Sequence, residues 1–373
     1  MSKLLLKVKN YLNQKYLIKN VDNKHWSLTD NFQDKVTTIL KEEFIGSINE
    51  LYPHIDLDSE KKNNPSIYTF LVHRFTRYIY RVNDCLIEPD YNWVILGKQK
   101  LFKYSYPLIE DPWDNIKPRP SVLAGIFKKK PVELEKAILV KYNWNNYYHF
   151  FSDLLPQLYL CDDNAIAENV PLIVPANYNR LPFVADFFKY FPLKRKIIVQ
   201  SPGQYFQVKE LYVAKDFLLG NYPSILREKV IAQNIADLSP EINSPELLYI
   251  TRKKGTKRSI SNADEIEKIA VERGFTVIDP GDYNWIQQVK LFSEVKKIIG
   301  VHGAGLTNIL FCKNNDVQLF EIFPGNGIIP EHYENMSKKL GYRYASMTGN
   351  GLNSEQTFSV DKSLFVENID RFF

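Results

Sequence analysis

From Tyr91 onward the chain alternates short apolar runs with amphipathic stretches. The runs at 91–96, 133–142, 170–175, 194–200 and 209–214 are rich in Val, Ile and Leu and bounded by Pro, Gly and Asn, which predicts β-strands. Residues 183–191 between them have helical spacing. An α/β domain with a largely parallel sheet is the expected outcome. The cluster Leu219-Gly220-Asn221-Tyr222-Pro223 predicts a hinge, and helical periodicity resumes at 225–238. Beyond it the order is strand 247–252, helix 262–274, strand 275–280, helix 284–294, strand 295–301, a glycine turn and strand 317–324. This repeated β-α-β pattern is the clearest architectural signal in the chain. Residues 1–65 are polar and lysine-rich and end in Lys61-Lys62-Asn63-Asn64-Pro65. They are expected to form a basic accessory segment ahead of two domains, 66–219 and 220–373.

The 373 residues exceed one ordinary core, so two domains with a ligand cleft between them are expected. Aromatic residues make up 14%, which suits carbohydrate stacking as well as core packing. Cys85, Cys161 and Cys312 show no paired spacing, which argues for a reducing compartment. No apolar run reaches the ~18 to 20 residues that span a bilayer, and the opening lacks the pattern of a signal peptide. A cytoplasmic protein is expected. The net charge of +5 is local: Lys3, Lys7, Lys9, Lys15 and Lys19 precede the first acidic residue, Asp22. No nucleic-acid partner is expected from it. With Leu4, Leu5, Val8, Leu12 and Tyr16 interleaved, this segment can lie on an anionic membrane as an amphipathic helix, or stand as a solvated basic helix.

Three clusters can carry chemistry. Lys297–Asn308 is an apolar strand running into His302-Gly303-Ala304-Gly305-Leu306-Thr307-Asn308. Strand ends of open α/β sheets are where ligands bind, and glycines there admit a phosphate to free N–H groups. His302 can hydrogen-bond a diphosphate or, protonated, stabilise its charge. Glu321, near the end of the next strand, is placed to take the ribose hydroxyls of a nucleotide. Thr251–Arg258 follows strand 247–252 at the same sheet edge. Its Arg252 and Arg258 match the oxygens of a leaving diphosphate. Asn262 reads as a helix cap. In the third cluster, after strand 133–142, His149 and Asp153 stand four apart and share one helix face. Such a pair can take the proton from an attacking hydroxyl: either residue can serve, with Asp153 as the base or as the group that fixes the tautomer of His149. The pair has no third metal ligand nearby, and no metal site is expected.

Taken together, the segments NYYHFFSDLLP, ITRKKGTKR with NADEI, FTVIDPGDYNWIQQVKLFSEVKKIIGVHGAGLTNILF and LFEIFP resemble glycosyltransferase family 61 over roughly residues 137 to 325. The resemblance implies a GT-B-type fold of two Rossmann-like lobes facing across a cleft, and an inverting transfer without a cofactor or an essential metal. It implies a nucleotide-sugar donor, and a glycan or lipid-linked acceptor in capsular or other surface-polysaccharide biosynthesis. By resemblance Arg252, Arg258, His302, Gly303, Gly305 and Glu321 fall on donor-site positions, and His149 and Asp153 on a first-lobe motif. The acidic residue expected soon after the second arginine is displaced here to Asp264 or Glu265.

Two other classes fit part of the pattern. An NAD(P)-dependent oxidoreductase would use Gly303-x-Gly305 with Glu321, but Asn308 replaces the third glycine and the two arginines have no role there. A non-catalytic carbohydrate-binding protein would keep the aromatic residues but needs neither the glycine turn nor Asp153.

Overall fold

The computed structural model describes residues 27–29, 33–44, 56–63, 68, 72, 76–89, 92–97, 100–102, 130–140, 146–176, 178, 181–215, 222–252, 257–325, 331–351 and 357–373. The predicted basic segment before Ser27, residues 253–256 of the arginine loop and residues 219–221 of the predicted hinge lie outside them.

The chain divides into two compact units, one of residues 1–142, 157–178 and 193–216, the other of residues 143–156, 179–192 and 217–373. His149 and Asp153, expected in the first domain, therefore belong to the second unit with the glycine turn. The reason is long-range ring packing: the aromatic residues of 147–151 and 183–187 pack on Trp285 and Phe311 of the second unit, with Phe151 stacked 6.3 Å from Trp285 and Phe187 edge-on to it at 5.4 Å.

In the first unit the described strands are β1 (Ser27–Thr29), β2 (Val36–Glu43), β3 (Thr76–Ile87), β4 (Val94–Gly97), β5 (Lys100–Phe102), β6 (Val132–Val140), β7 (Leu172–Pro175), β8 (Ile197–Gln200) and β9 (Phe206–Lys215). They form one sheet in the order β1-β5-β4-β3-β9-β6-β7-β8, with β2 also paired to β3. The expected parallel sheet holds only where β6 pairs with β7 and β9, β7 with β8, and β1 with β5. Around β3 the pairing is antiparallel, to β2, β4 and β9. β2 also corrects the reading of 1–65 as a segment outside the folded part, because Val36–Glu43 is integral to this sheet. Tyr78, Tyr80, Val82, Val208, Leu211, Val213 and Leu139 pack into one core.

The second unit holds the predicted β-α-β series. Its strands β10 (Leu247–Ile250), β11 (Thr276–Ile278), β12 (Lys297–Val301), β13 (Gln318–Phe323) and β14 (Arg343–Thr348) pair in parallel in the order β11-β10-β12-β13-β14. β12 and β13 are buried along nearly their whole length, as strands covered on both faces must be, which is why they read as unbroken apolar runs. The helix Ala263–Glu272 buries Ala263, Ile266 and Ala270 at helical spacing, and Trp285–Ser293 starts with a capping box between Asn284 and Gln287. In chain order the sheet runs 2-1-3-4-5, so the topology reverses between β10 and β12. The C-terminal ends of these two strands flank the switch point, where open α/β sheets place their ligands.

Candidate functional site at the switch point

Two segments leave the sheet at that point, Thr251-Arg252 from β10 and His302-Gly303 from β12. The guanidinium of Arg252 lies directly over Gly303: a Cβ there would stand 2.6 Å from Arg252 Nη2 and 2.9 Å from its Cζ. Gly303 is needed for that space and not for its dihedral angle, since its φ of 163° is extended backbone. The carbonyl of Gly303 accepts from Leu306 N at 3.0 Å and from the Tyr333 hydroxyl at 2.7 Å, so the turn is held on two sides. Arg252 also donates to the Lys257 carbonyl at 2.6 Å. Burial, then the like charge of Arg258 beside it, lowers the pKa of Arg252. Two cations are thus gathered where no carboxylate bonds either of them among the described residues, a ready receptor for a multiply charged anion.

The expected helix after the turn is a 3-10 helix, Ala304–Phe311. Leu306, Thr307 and Asn308 on it are wholly buried, so their part is to build the turn from within, while Ala304 and Gly305 stay partly exposed. The Leu306 side chain fills the space over Gly300, where a Cβ would stand 2.6 Å from Leu306 Cδ2. Asn308 donates to Gln288 Oε1 at 2.8 Å and to the Gly305 carbonyl at 3.0 Å, and its own Oδ1 accepts from the Tyr147 hydroxyl at 2.6 Å. That last bond ties the 147–153 segment to the turn. Burial raises the pKa of Tyr147 well above the usual phenol value, which keeps it a neutral donor.

Glu321 departs from the sequence reading. It is wholly buried, its Oε1 lies 2.6 Å from His302 Nδ1 and its Oε2 accepts from the Tyr344 hydroxyl at 2.8 Å. Its carboxylate faces protein and has no access to a ribose. It supports His302 instead, in the way a buried carboxylate orients an imidazole. Asn262 does stand at the N-cap of the helix Ala263–Glu272, its carbonyl accepting from Ile266 N at 3.3 Å, but its side chain makes no cap bond and pairs instead with both backbone groups of Val360, at 2.9 and 3.0 Å.

The second imidazole-carboxylate pair is where the spacing placed it. His149 Nδ1 and Asp153 Oδ2 are 2.5 Å apart across the π-helical turn Phe150–Leu154. The His149 side chain is 29% exposed against 16% for Asp153, so the imidazole is the outer member. A row of rings joins the two pairs: Phe323 on His302 at 5.1 Å, His302 on His332 at 6.1 Å, His332 on Tyr148 at 4.8 Å, and Tyr148 next to His149 at 5.3 Å. His332, Tyr333 and Tyr344 were not singled out by the sequence, although Gly341 with Lys338 and Lys339 marks the end of the helix His332–Leu340 that carries the first two.

A parallel α/β unit with a glycine turn and an arginine pair at its switch point defines the class: a doubly wound α/β domain with the kind of strand-end site at which such folds bind phosphate-bearing ligands. Residues 147–319 match the family model Glycosyltransferase 61. The alpha-1,3-arabinosyltransferase XAT3 of Oryza sativa subsp. japonica is 36% identical over 106 residues, 27% of this chain and 18% of that protein. The alpha-1,3-arabinosyltransferase XAT2 of the same plant is 34% identical over 107 residues, again 27% of this chain and 18% of that protein. The match thus spans under a fifth of the length of either relative.

Proposed function

We propose that the protein transfers a sugar from a nucleotide-sugar donor to a hydroxyl of a glycan or lipid-linked glycan, with inversion at the anomeric carbon. The observation that carries this reading is the Arg252 guanidinium seated on Gly303 at the switch point, in the same unit as the His149–Asp153 pair. The acceptor oxygen attacks the anomeric carbon while His149 takes its proton; the bond from that carbon to the diphosphate breaks, and the nucleoside diphosphate leaves with the electron pair. Arg252, Arg258 and His302 meet the charge that builds on it. Asp153 holds His149 in the tautomer that accepts the proton, an assignment favoured by the greater exposure of the imidazole.

Because arginines supply the positive charge, this chemistry needs no metal to neutralise the leaving group, and no resident cofactor is assigned. The arabinosyltransferases matched above make a nucleotide-activated pentose the first donor to test. Two α/β units, each with its own sheet, support the two-lobed GT-B reading. The surface-polysaccharide setting rests on the resemblance, the cytoplasmic location on the unpaired spacing of Cys85, Cys161 and Cys312, and the membrane contact on residues before Ser27. The NAD(P)-dependent oxidoreductase and the carbohydrate-binding protein are disfavoured by the arginine pair, which neither requires.

The test is turnover. Purified protein is incubated with a panel of nucleotide-sugars and glycan acceptors, and both the released nucleoside diphosphate and the extended glycan are measured. Sugar transfer by the native chain, lost in Asp153→Asn, is expected. Binding of a nicotinamide dinucleotide with no response to any nucleotide-sugar would overturn the proposal.

A further inference from the structure

The Tyr344–Glu321–His302 chain is more than a support for the turn. Tyr344 on β14 donates to one oxygen of Glu321 on β13, and the other oxygen meets His302 Nδ1 just beyond β12. Three adjacent strands thus converge on one imidazole and use up its Nδ1, so Nε2 is the nitrogen left to meet a ligand. Two arrangements of protons are available to the pair. With two protons, one lies in the Nδ1 to Oε1 bond and one sits on Nε2, and the pair is neutral overall. With one proton, Nε2 is bare and the pair carries a net negative charge.

Burial chooses between them. Glu321 is 0% exposed and His302 is 7% exposed, and a net charge at such a place is strongly penalised. Burial is also the largest influence on Glu321 and raises its pKa, against the lowering effects of His302 and Tyr344. The titratable and charged groups facing the pair among the described residues are Tyr344 from β14, and His332, Tyr333 and Glu334 from the helix His332–Leu340. Glu334 acts in the same direction as burial, raising the pKa of Glu321, and is itself paired with Lys338 at 2.7 Å.

We infer that Glu321 is a positioning residue that keeps a proton on His302 Nε2, so that His302 serves as a hydrogen-bond donor to the diphosphate of the nucleotide-sugar, and that Tyr344 limits the pH range over which that proton is kept. The ligand half of this inference rests on the glycosyltransferase reading above; the proton half rests on the buried pair alone. A bare Nε2 would turn a lone pair toward an anion and repel it. Tyr344 stabilises the ionised carboxylate and therefore the one-proton state, so it sets the pH at which Nε2 loses its proton. Removing its hydroxyl must move that pH upward.

Nitrogen NMR of the full-length protein with labelled histidine separates the two halves, with the His302 signals assigned by their loss in His302→Gln. A proton on Nε2 at neutral pH is expected in the native chain. In Tyr344→Phe, loss of Nε2–H is expected at higher pH than in the native chain, because the carboxylate loses a charge-assisted hydrogen bond. A merely structural role for Tyr344 would lower the melting temperature and leave the titration where it is. Calorimetric titration with uridine, guanosine, cytidine and adenosine diphosphates then reads the ligand half. Affinity should fall as Nε2 deprotonates, and at higher pH in Tyr344→Phe than in the native chain. A His302 protonated on Nδ1 alone at neutral pH overturns the inference, as does an unmoved titration in Tyr344→Phe. If the NMR result holds and no diphosphate binds, the glycosyltransferase reading and the ligand half fall together while the proton assignment stands.

Discussion

Arg252 rests on Gly303 so closely that a single methyl group at that position would stand 2.6 Å from its Nη2. The consequence is a substitution that separates binding from folding. The atom in the way is the end of a long side chain, which can swing aside, and Gly303 has extended backbone that alanine adopts without strain. Gly303→Ala should therefore change unfolding free energy by less than about 1 kcal/mol, because although the position is buried the crowding is relieved by movement of one flexible side chain. Donor affinity should fall at least tenfold, or about 1.4 kcal/mol, as the displaced guanidinium loses its forked contact with phosphate. Denaturant melts and donor titration on the same sample check both.

The outer pair predicts a split in the kinetic constants. Asp153→Asn leaves His149 with an amide partner that no longer fixes its tautomer or balances its charge when it takes a proton. A fall in kcat of roughly 10² to 10⁴ is expected, the usual worth of an acid-base group, with the donor KM nearly unchanged. A rise in donor KM with kcat preserved would place Asp153 in donor binding.

Asn308 should behave as a structural hub. It is buried, and it bonds Tyr147, Gln288 and the Gly305 carbonyl. Asn308→Ala strands several buried polar partners at once, and a loss of about 2 to 4 kcal/mol in unfolding free energy is expected from chemical denaturation.

Gly300 and Leu306 should couple. A Cβ at 300 meets Leu306 Cδ2 at 2.6 Å and Ile250 Cβ at 3.3 Å, so Gly300→Ala overpacks the core behind the turn and should cost about 1 to 3 kcal/mol. Leu306→Ala removes the obstructing side chain and alone should cost about 2 to 5 kcal/mol. In the double variant the two losses should sum to less than their separate values, by about 0.5 kcal/mol or more, as expected for residues in contact. Denaturation of all four proteins measures the difference.

The second unit was legible in the sequence because strands buried on both faces have little choice but to be apolar throughout, and because a ligand turn needs glycine. Leu247–Ile250, Lys297–Val301 and Gln318–Phe323 announce themselves in that way. His149 and Asp153 were legible because helical spacing alone brings them together. Their membership of the second unit was not, since it depends on Phe151 and Phe187 meeting Trp285, contacts about 100 to 130 residues apart that no local pattern encodes. β3 was missed because Arg77, Arg81 and Asn83 interrupt its apolar residues, a polar face that antiparallel strands tolerate. Glu321 was misread for a related cause. An acidic residue near a strand end looks exposed until Tyr344, on a strand of mostly polar and small residues, is seen to cover it.

The central claim is that the switch point between β10 and β12 receives a nucleotide-sugar through its two arginines. It is tested most directly by measuring donor turnover and nucleoside diphosphate affinity in Arg252→Ala and Arg258→Ala beside the native chain. The account predicts that the native chain releases a nucleoside diphosphate from a nucleotide-sugar, and that each variant binds the diphosphate at least tenfold more weakly, the least expected from losing a charge-assisted pair. Native turnover with undiminished diphosphate affinity in both variants would contradict it and move the donor site elsewhere in the molecule.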